Sequence, residues 1–192
     1  MQIGRGEQPP ALLLLEHPHV FTFGRRGEAK NLLWDQPELD RRGVSVLWVD
    51  RGGDVTYHGP GQLIGYPIIN LQPDRMDVLR YLRDLEEALI EVCEHYGIYA
   101  ERRAGRTGVW VENRKIASIG VKISRWVTYH GFALNVYTDL SAFDFIIPCG
   151  IPGVKMTSIL AETGMAPDLE AVAHVAADKM NLVFNPTEIH RA

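Results

Sequence analysis

The amino-acid sequence predicts an α+β fold, on three observations. Strand-like segments come in two blocks, one long amphipathic segment separates the blocks, and a second helical segment follows the last of them. Strict βαβ alternation, the mark of an all-parallel sheet, is absent. At 192 residues, 46% of them hydrophobic, the chain can bury one good-sized core, so a single domain over 1–192 is expected.

The first block holds four short apolar segments, Ala11 to Leu15, Val20 to Gly24, Val44 to Val49 and Leu63 to Asn70, rich in β-branched and aromatic residues as strands require. No helix is expected among them. The first helix follows, capped by Asp74 or Asp77, with Val78, Leu79, Leu82, Leu85, Leu89, Val92 and Cys93 at helical spacing and Gly97 as its stop. It reads as an amphipathic lid on a sheet. The second block runs through Gly108 to Glu112, Lys115 to Ser124 and Val127 to Val136, the first two joined as a hairpin by the turn from Glu112 to Lys115. A last helix runs from about Asp168 through Val172, Ala176 and Met180. The basic cluster from Glu101 to Arg106 reads as a solvated turn.

Between the third and fourth strand segments lies Arg51-Gly-Gly-Asp-Val-Thr-Tyr-His-Gly-Pro-Gly-Gln62. Its four glycines allow another molecule to come close to the backbone, where exposed N–H groups can cradle an anion or a carbonyl oxygen. Arg51, Asp54, Tyr57 and His58 add side chains able to orient a ligand. A nucleotide phosphate loop is excluded, because no Gly-Lys-Ser/Thr ending is present and no helix-like run follows directly.

Composition narrows the function classes. A formal net charge of −4 argues against nucleic acid and anionic membrane as partners, both of which require a basic field. No apolar run approaches the ~20 residues of a membrane span, and the first ten residues hold no apolar signal core, so the cytoplasm is the default location. Two cysteines exclude a disulfide framework and a four-thiolate metal site. No zinc-type spacing of His, Cys or carboxylates occurs, so no metal is expected, and no Gly-x-Ser-x-Gly elbow of a serine hydrolase is present.

The cysteines differ in their surroundings. Cys93 lies on the apolar face of the first helix and reads as a small buried hydrophobe. Cys149 sits in Ile146-Ile-Pro-Cys-Gly-Ile151, where Pro148 and Gly150 fix a turn that can present a thiol. A nucleophilic thiol needs its thiolate stabilised, and Lys115, Lys122, His58 and His130 are the candidate partners. His58 and His130 each stand in a Tyr-His-Gly triplet and could line one pocket from two sides; His17, His19, His95, His174 and His190 read as structural or solvated.

Five segments in order, Glu16 to Arg25, Arg51 to Gln62, Arg114 to Val121, His130 to Asn135 and Pro148 to Ile151, resemble the lipoyl(octanoyl) transferase family over about Leu12 to Leu160. The resemblance implies a biotin/lipoate protein ligase-like catalytic domain, with mixed sheets flanked by helices. It implies transfer of an octanoyl group from octanoyl-acyl carrier protein to a lysine of lipoyl domains, those of 2-oxoacid dehydrogenase E2 subunits and the glycine cleavage H protein, with no cofactor. By position, Cys149 matches the family's acyl-thioester nucleophile and Lys115 the lysine that lowers its pKa. The family's substrate-binding segments fall on Arg51, Gly52, Gly53, Asp54, Val55, Thr56, Tyr57 and His58, on Ser118, Ile119 and Gly120, and on Gly131, Phe132 and Ala133. Lys122 takes no catalytic role. Backbone N–H groups near Gly120 or beside Cys149 are the candidate oxyanion donors.

The sequence departs from the family's pattern twice. Members carry a further strand and helix before the leucine-rich segment, whereas Met1 stands only about ten residues ahead of it, so either the start is misplaced or an edge element is missing. Asp54 adds a carboxylate where members often have an uncharged side chain, which would alter the pocket's charge. Two other functions remain alternatives: an ATP-dependent lipoate or biotin ligase on the same fold, which needs no nucleophilic cysteine, and a silent module that binds carrier or lipoyl domains. Cys149 within Pro-Cys-Gly and the presence of Lys115 favour the transferase.

Overall fold

Ten strands and four α-helices make up the computed structural model, which describes residues 3–147 and 153–184. In chain order they are β1 (Ala11–Leu15), β2 (Val20–Phe23), α1 (Gln36–Arg42), β3 (Ser45–Trp48), β4 (Val55–His58), β5 (Gln62–Ile68), α2 (Val78–His95), β6 (Glu101–Arg103), β7 (Arg106–Val111), β8 (Arg114–Ser124), β9 (Val127–Asn135), β10 (Lys155–Met156), α3 (Ile159–Thr163) and α4 (Leu169–Phe184). A seven-stranded sheet runs β1-β5-β9-β8-β7-β6, with β10 added in parallel to β8; a three-stranded sheet runs β3-β2-β4. The expected α+β architecture of mixed sheets and flanking helices is what forms.

Helices α2 and α4 cover one face of the large sheet. Asp77 caps α2 by accepting from the Arg80 N–H at 3.0 Å, and Gly97 follows it with a φ of +72°. Its buried stripe is Tyr81, Leu85, Ala88, Leu89, Val92 and Cys93, closing against Ile116, Ala117 and Leu134 of the sheet and Val172, Ala176 and Met180 of α4. Val78 and Leu79, expected on that stripe, lie in the helix's first turn and are exposed. Burial pushes the Cys93 thiol up to about 12, so this cysteine is the inert hydrophobe expected.

The observed elements differ from expectation in three places. A short helix, α1, stands between the second and third strands where none was expected. Strands β2 and β3 are parallel, and parallel neighbours require a crossover. Asp35 accepts from the Glu38 N–H at 3.0 Å, Pro37 sits in the first turn, and Gly43 ends the helix in the left-handed conformation. Only Leu39 of its seven residues is buried, so no apolar period marks it. Second, the glycine-rich connection contains β4, antiparallel to β2 with His58 opposite Val20. Third, Glu101–Arg103 is an edge strand rather than a turn; the turn is confined to Ala104 and Gly105. The small sheet closes on aromatic rings, with Tyr57 5.6 Å from Phe21 and 5.5 Å from Phe143.

One irregularity positions the chemistry. Strand β7 pairs Trp110 with Lys115 but Val109 with Ala117, so Ile116 is an extra residue in β8, a β-bulge. Ile116 and Ala117 therefore both face the helices, and strand alternation resumes one step later. Without the bulge, Lys115 and Ser118 would point to opposite faces. With it, Lys115, Ser118, Gly120 and Lys122 share the face turned away from the helices, while Ile119, Val121 and Ile123 join the core. Among the described residues no helix is long and apolar enough to cross a membrane.

Candidate functional site

A cleft opens between that helix-free face and the small sheet. The 51–56 segment and His58 wall it on one side, Ser118 to Gly120 and His130 to Ala133 on the other, with Val20 and Thr22 of β2, Leu47 and Val49 around β3, and Ile64 and Tyr66 of β5 between them. Of the substrate-binding positions implied by the sequence, all but Tyr57 line this single cleft. Alternation along β4 explains the exception. Tyr57 sinks into the aromatic core, whereas Thr56 and His58 look into the cleft; Val55 packs on that core and still borders the cleft. The Tyr57 phenol meets His19 at 2.6 Å on the far side.

Arg51 holds the loop in place and is itself buried. Its Nη2 donates to the Thr22 carbonyl at 2.5 Å and to the Thr22 hydroxyl at 2.9 Å, and its Nη1 to the Gly52 carbonyl at 3.0 Å. The Gly52 N–H reaches across to the Val121 carbonyl at 2.8 Å, stitching loop to large sheet. At Gly131 a Cβ would stand 2.1 Å from the Gly65 carbonyl, so glycine is needed there for the backbones to approach, and at Gly120 one would stand a tight 3.1 Å from the Gly52 carbonyl and from Arg51 Cδ. Asp54 does not present a bare charge to the cleft. One oxygen accepts from the Glu28 and Val55 N–H groups at 3.1 and 2.7 Å, the other from the Asn31 amide, so the extra carboxylate anchors the loop to the 28–31 segment.

At the mouth, Lys122 and the His130 Nε2 converge on Asp50, the imidazole at 2.8 Å. These two hydrogen bonds, that from Lys122 first, hold the Asp50 carboxyl down at about 2. His130 sits inside β9 with a φ of +57°, a conformation that costs a non-glycine residue on the order of 1–3 kcal/mol. Deeper in, His17 Nε2 meets the Tyr66 hydroxyl at 2.7 Å, and the His17 and His58 rings stand 6.0 Å apart. Burial, the largest cause, pulls His58 down to about 4, with Arg51 and the neighbouring histidines adding to it, so it is neutral at neutral pH. The two Tyr-His-Gly triplets thus do bring their histidines to one cleft. Sequence reasoning missed His17 and Tyr66; their signal was period-2 alternation with Ile64 for the tyrosine and the Glu16-His-Pro run for the histidine.

Lys115 is 4% exposed, its Nζ 5.2 Å from the centre of the Trp110 ring. It does not line the cleft wall, but it lies on the same face of β8 as Ser118 and Gly120. Met156 of β10 pairs with it, and the Thr157 N–H donates to the Lys115 carbonyl at 2.9 Å. Cys149 lies outside the described residues. On its near side the described residues reach Ile147, whose N–H donates to the Asn31 carbonyl at 2.8 Å, and on its far side they begin at Gly153, two residues before β10. Among the described residues no group of three or more His, Cys, Asp or Glu side chains is placed to hold a metal ion.

Comparison with known proteins identifies the family of this fold. Residues 1–181 match the lipoyl protein ligase A/B catalytic domain family. An octanoyltransferase of Solibacter usitatus is 53% identical over 168 residues, covering 88% of this chain and 76% of its own. One from Gloeobacter violaceus is 52% identical over 183 residues, covering 95% of this chain and 79% of its own. Among solved structures, a lipoate-protein ligase A bound with ATP superimposes with a TM-score of 0.79 over 95% of this chain and 76% of that one, at 16% identity, a likeness of fold. The chain therefore belongs to the lipoyl protein ligase A/B catalytic domain family, among its octanoyltransferases.

Proposed function

We propose that octanoyl transfer by this acyltransferase runs through a thioester on Cys149. Cys149 attacks octanoyl-acyl carrier protein and releases the phosphopantetheine thiol; a lysine of a lipoyl domain, in a 2-oxoacid dehydrogenase E2 subunit or the glycine cleavage H protein, then takes the octanoyl group as an amide. The observation that carries this reading is Lys115, a buried cation on the cleft side of β8, paired with the short strand that follows the Cys149 segment directly. An ammonium next to a thiol favours the thiolate and can pass protons between the two exchanges. The apolar lining of the cleft, Val20, Leu47, Val49, Ile64 and Phe132, suits an eight-carbon tail. Because the donor is already a thioester, neither ATP nor a metal is needed. A cytoplasmic location, where carrier protein and acceptors meet, is part of the same proposal.

The test is incubation with octanoyl-acyl carrier protein in the absence of ATP, followed by intact mass. One octanoyl adduct on Cys149, discharged by added lipoyl domain, is expected. An adduct that forms only with ATP and free octanoate would make the chain a ligase, and full-rate transfer by Cys149→Ala would overturn the thioester.

A further inference from the structure

Two buried residues at the ends of the two cleft-forming motifs, Gln62 and Asn135, have no place in the reaction described so far. Each is 1% exposed. They form a directed chain of hydrogen bonds whose sense is set by its far end. The Thr157 backbone carbonyl can only accept, so the Asn135 Nδ2 donates to it, at 2.9 Å. The Asn135 Oδ1 then accepts from the Gln62 Nε2 at 2.9 Å, and that nitrogen also points at the Tyr57 carbonyl, at 3.3 Å. The Gln62 Oε1 is left to accept, and its partner is the His58 Nδ1 at 2.8 Å. Hence His58 carries its proton on Nδ1. Its Nε2 is a bare acceptor, without a partner among the described residues, on a side chain that lines the cleft.

We propose that Gln62 and Asn135 are positioning residues that lock His58 in the Nδ1–H tautomer, so that its Nε2 accepts a hydrogen bond from the attacking lysine amine in the amide-forming step. This rests on the thioester reading above. In that step the amine nitrogen bonds to the octanoyl carbon and its N–H becomes a stronger donor as it does so. The carbon–sulfur bond breaks, the electron pair stays on the Cys149 sulfur, and the proton lost by nitrogen goes to that sulfur. His58 is held neutral by burial, as a hydrogen-bond acceptor for this moment must be. The chain's other end is useful too. Thr157 also donates to the Lys115 carbonyl, so one set of bonds fixes the acceptor of the amine and the backbone of the lysine that attends the thiol.

Nitrogen NMR of the imidazoles in the wild-type protein and single-turnover kinetics of the two half-reactions test this together. His58 should show a protonated Nδ1 and a bare Nε2 between pH 6 and 8; the opposite tautomer overturns the lock. Gln62→Leu should mix the tautomers and slow discharge onto a lipoyl domain by roughly tenfold or more, while acylation of Cys149 falls by less than about threefold. His58→Ala should slow discharge similarly, and the double variant no further, because both changes remove one device. Independent, multiplying losses, or equal losses in both half-reactions, would make Gln62 a structural residue only. Should the wild-type protein take no octanoyl group from the carrier, the thioester reading falls while the tautomer measurement still judges the lock.

Discussion

The two sheets put their apolar residues to different uses. The large one closes on α2 and α4 through an aliphatic core of Leu85, Leu89, Val92, Ile116, Val172 and Met180, none of which borders the cleft. The small one closes on rings, Phe21, Tyr57 and Phe143, immediately behind Thr22 and His58, which do border it. Apart from Ile119 and Phe132, which pack on the large core and also border the cleft, stability and chemistry therefore sit on opposite faces of the same strands. On β8 the division falls along the strand, with Ile116 and Ala117 toward the helices and Lys115, Ser118 and Gly120 toward the small sheet. Separate faces should be separable by mutation.

The largest expected effect breaks the chemistry and spares the fold. Lys115→Met keeps the volume and removes the charge, so a folded protein is expected with Cys149 acylation slowed by roughly 100-fold. The pH profile of Cys149 alkylation should move upward, since the thiolate loses its cation. An unmoved profile would separate Lys115 from the thiol. The converse change is Leu89→Ala, at a fully buried position on α2. A loss of about 2–5 kcal/mol in denaturant unfolding is expected, with octanoyl transfer per folded molecule unchanged. A variant that keeps its stability but loses transfer would show that the helix layer reaches the cleft.

The same division explains what the sequence discloses. The large layer is readable because its segments are long enough for a period to show: α2 has 18 residues and β8 has 11. The small layer is not, because α1 buries only Leu39, and β4 has four residues inside a loop whose glycines dominate its composition. There the cues were chemical and local: Asp35, Pro37 and Gly43 for the helix, Val55 to His58 for the strand. The cleft was legible as motifs, since its walls are glycine-rich segments with histidines. How Lys115 joins their side was not. Its face depends on the bulge at Ile116, and a bulge is a property of the pairing between two strands, invisible in either one. The directed bonds from His58 to Thr157 were hidden for the same reason, spanning residues 58, 62, 135 and 157.

The smallest expected effect tests the sharpest boundary, that between neighbours on β4. Tyr57 and His58 are consecutive, and the family resemblance assigns both to substrate, yet strand alternation sends them to opposite sides. The Tyr57 hydroxyl lies against His19, behind the cleft wall, with the ring fixed between Phe21 and Phe143. Tyr57→Phe keeps the ring and deletes one partly buried hydrogen bond, so a stability loss of about 1 kcal/mol is expected, read as a slightly lower thermal midpoint. Acylation of Cys149 and discharge onto a lipoyl domain should both run at the wild-type rate, because nothing facing the cleft has changed. A tenfold loss in either half-reaction would mean that the phenol reaches the substrate, and the aromatic core would then have to count as part of the site.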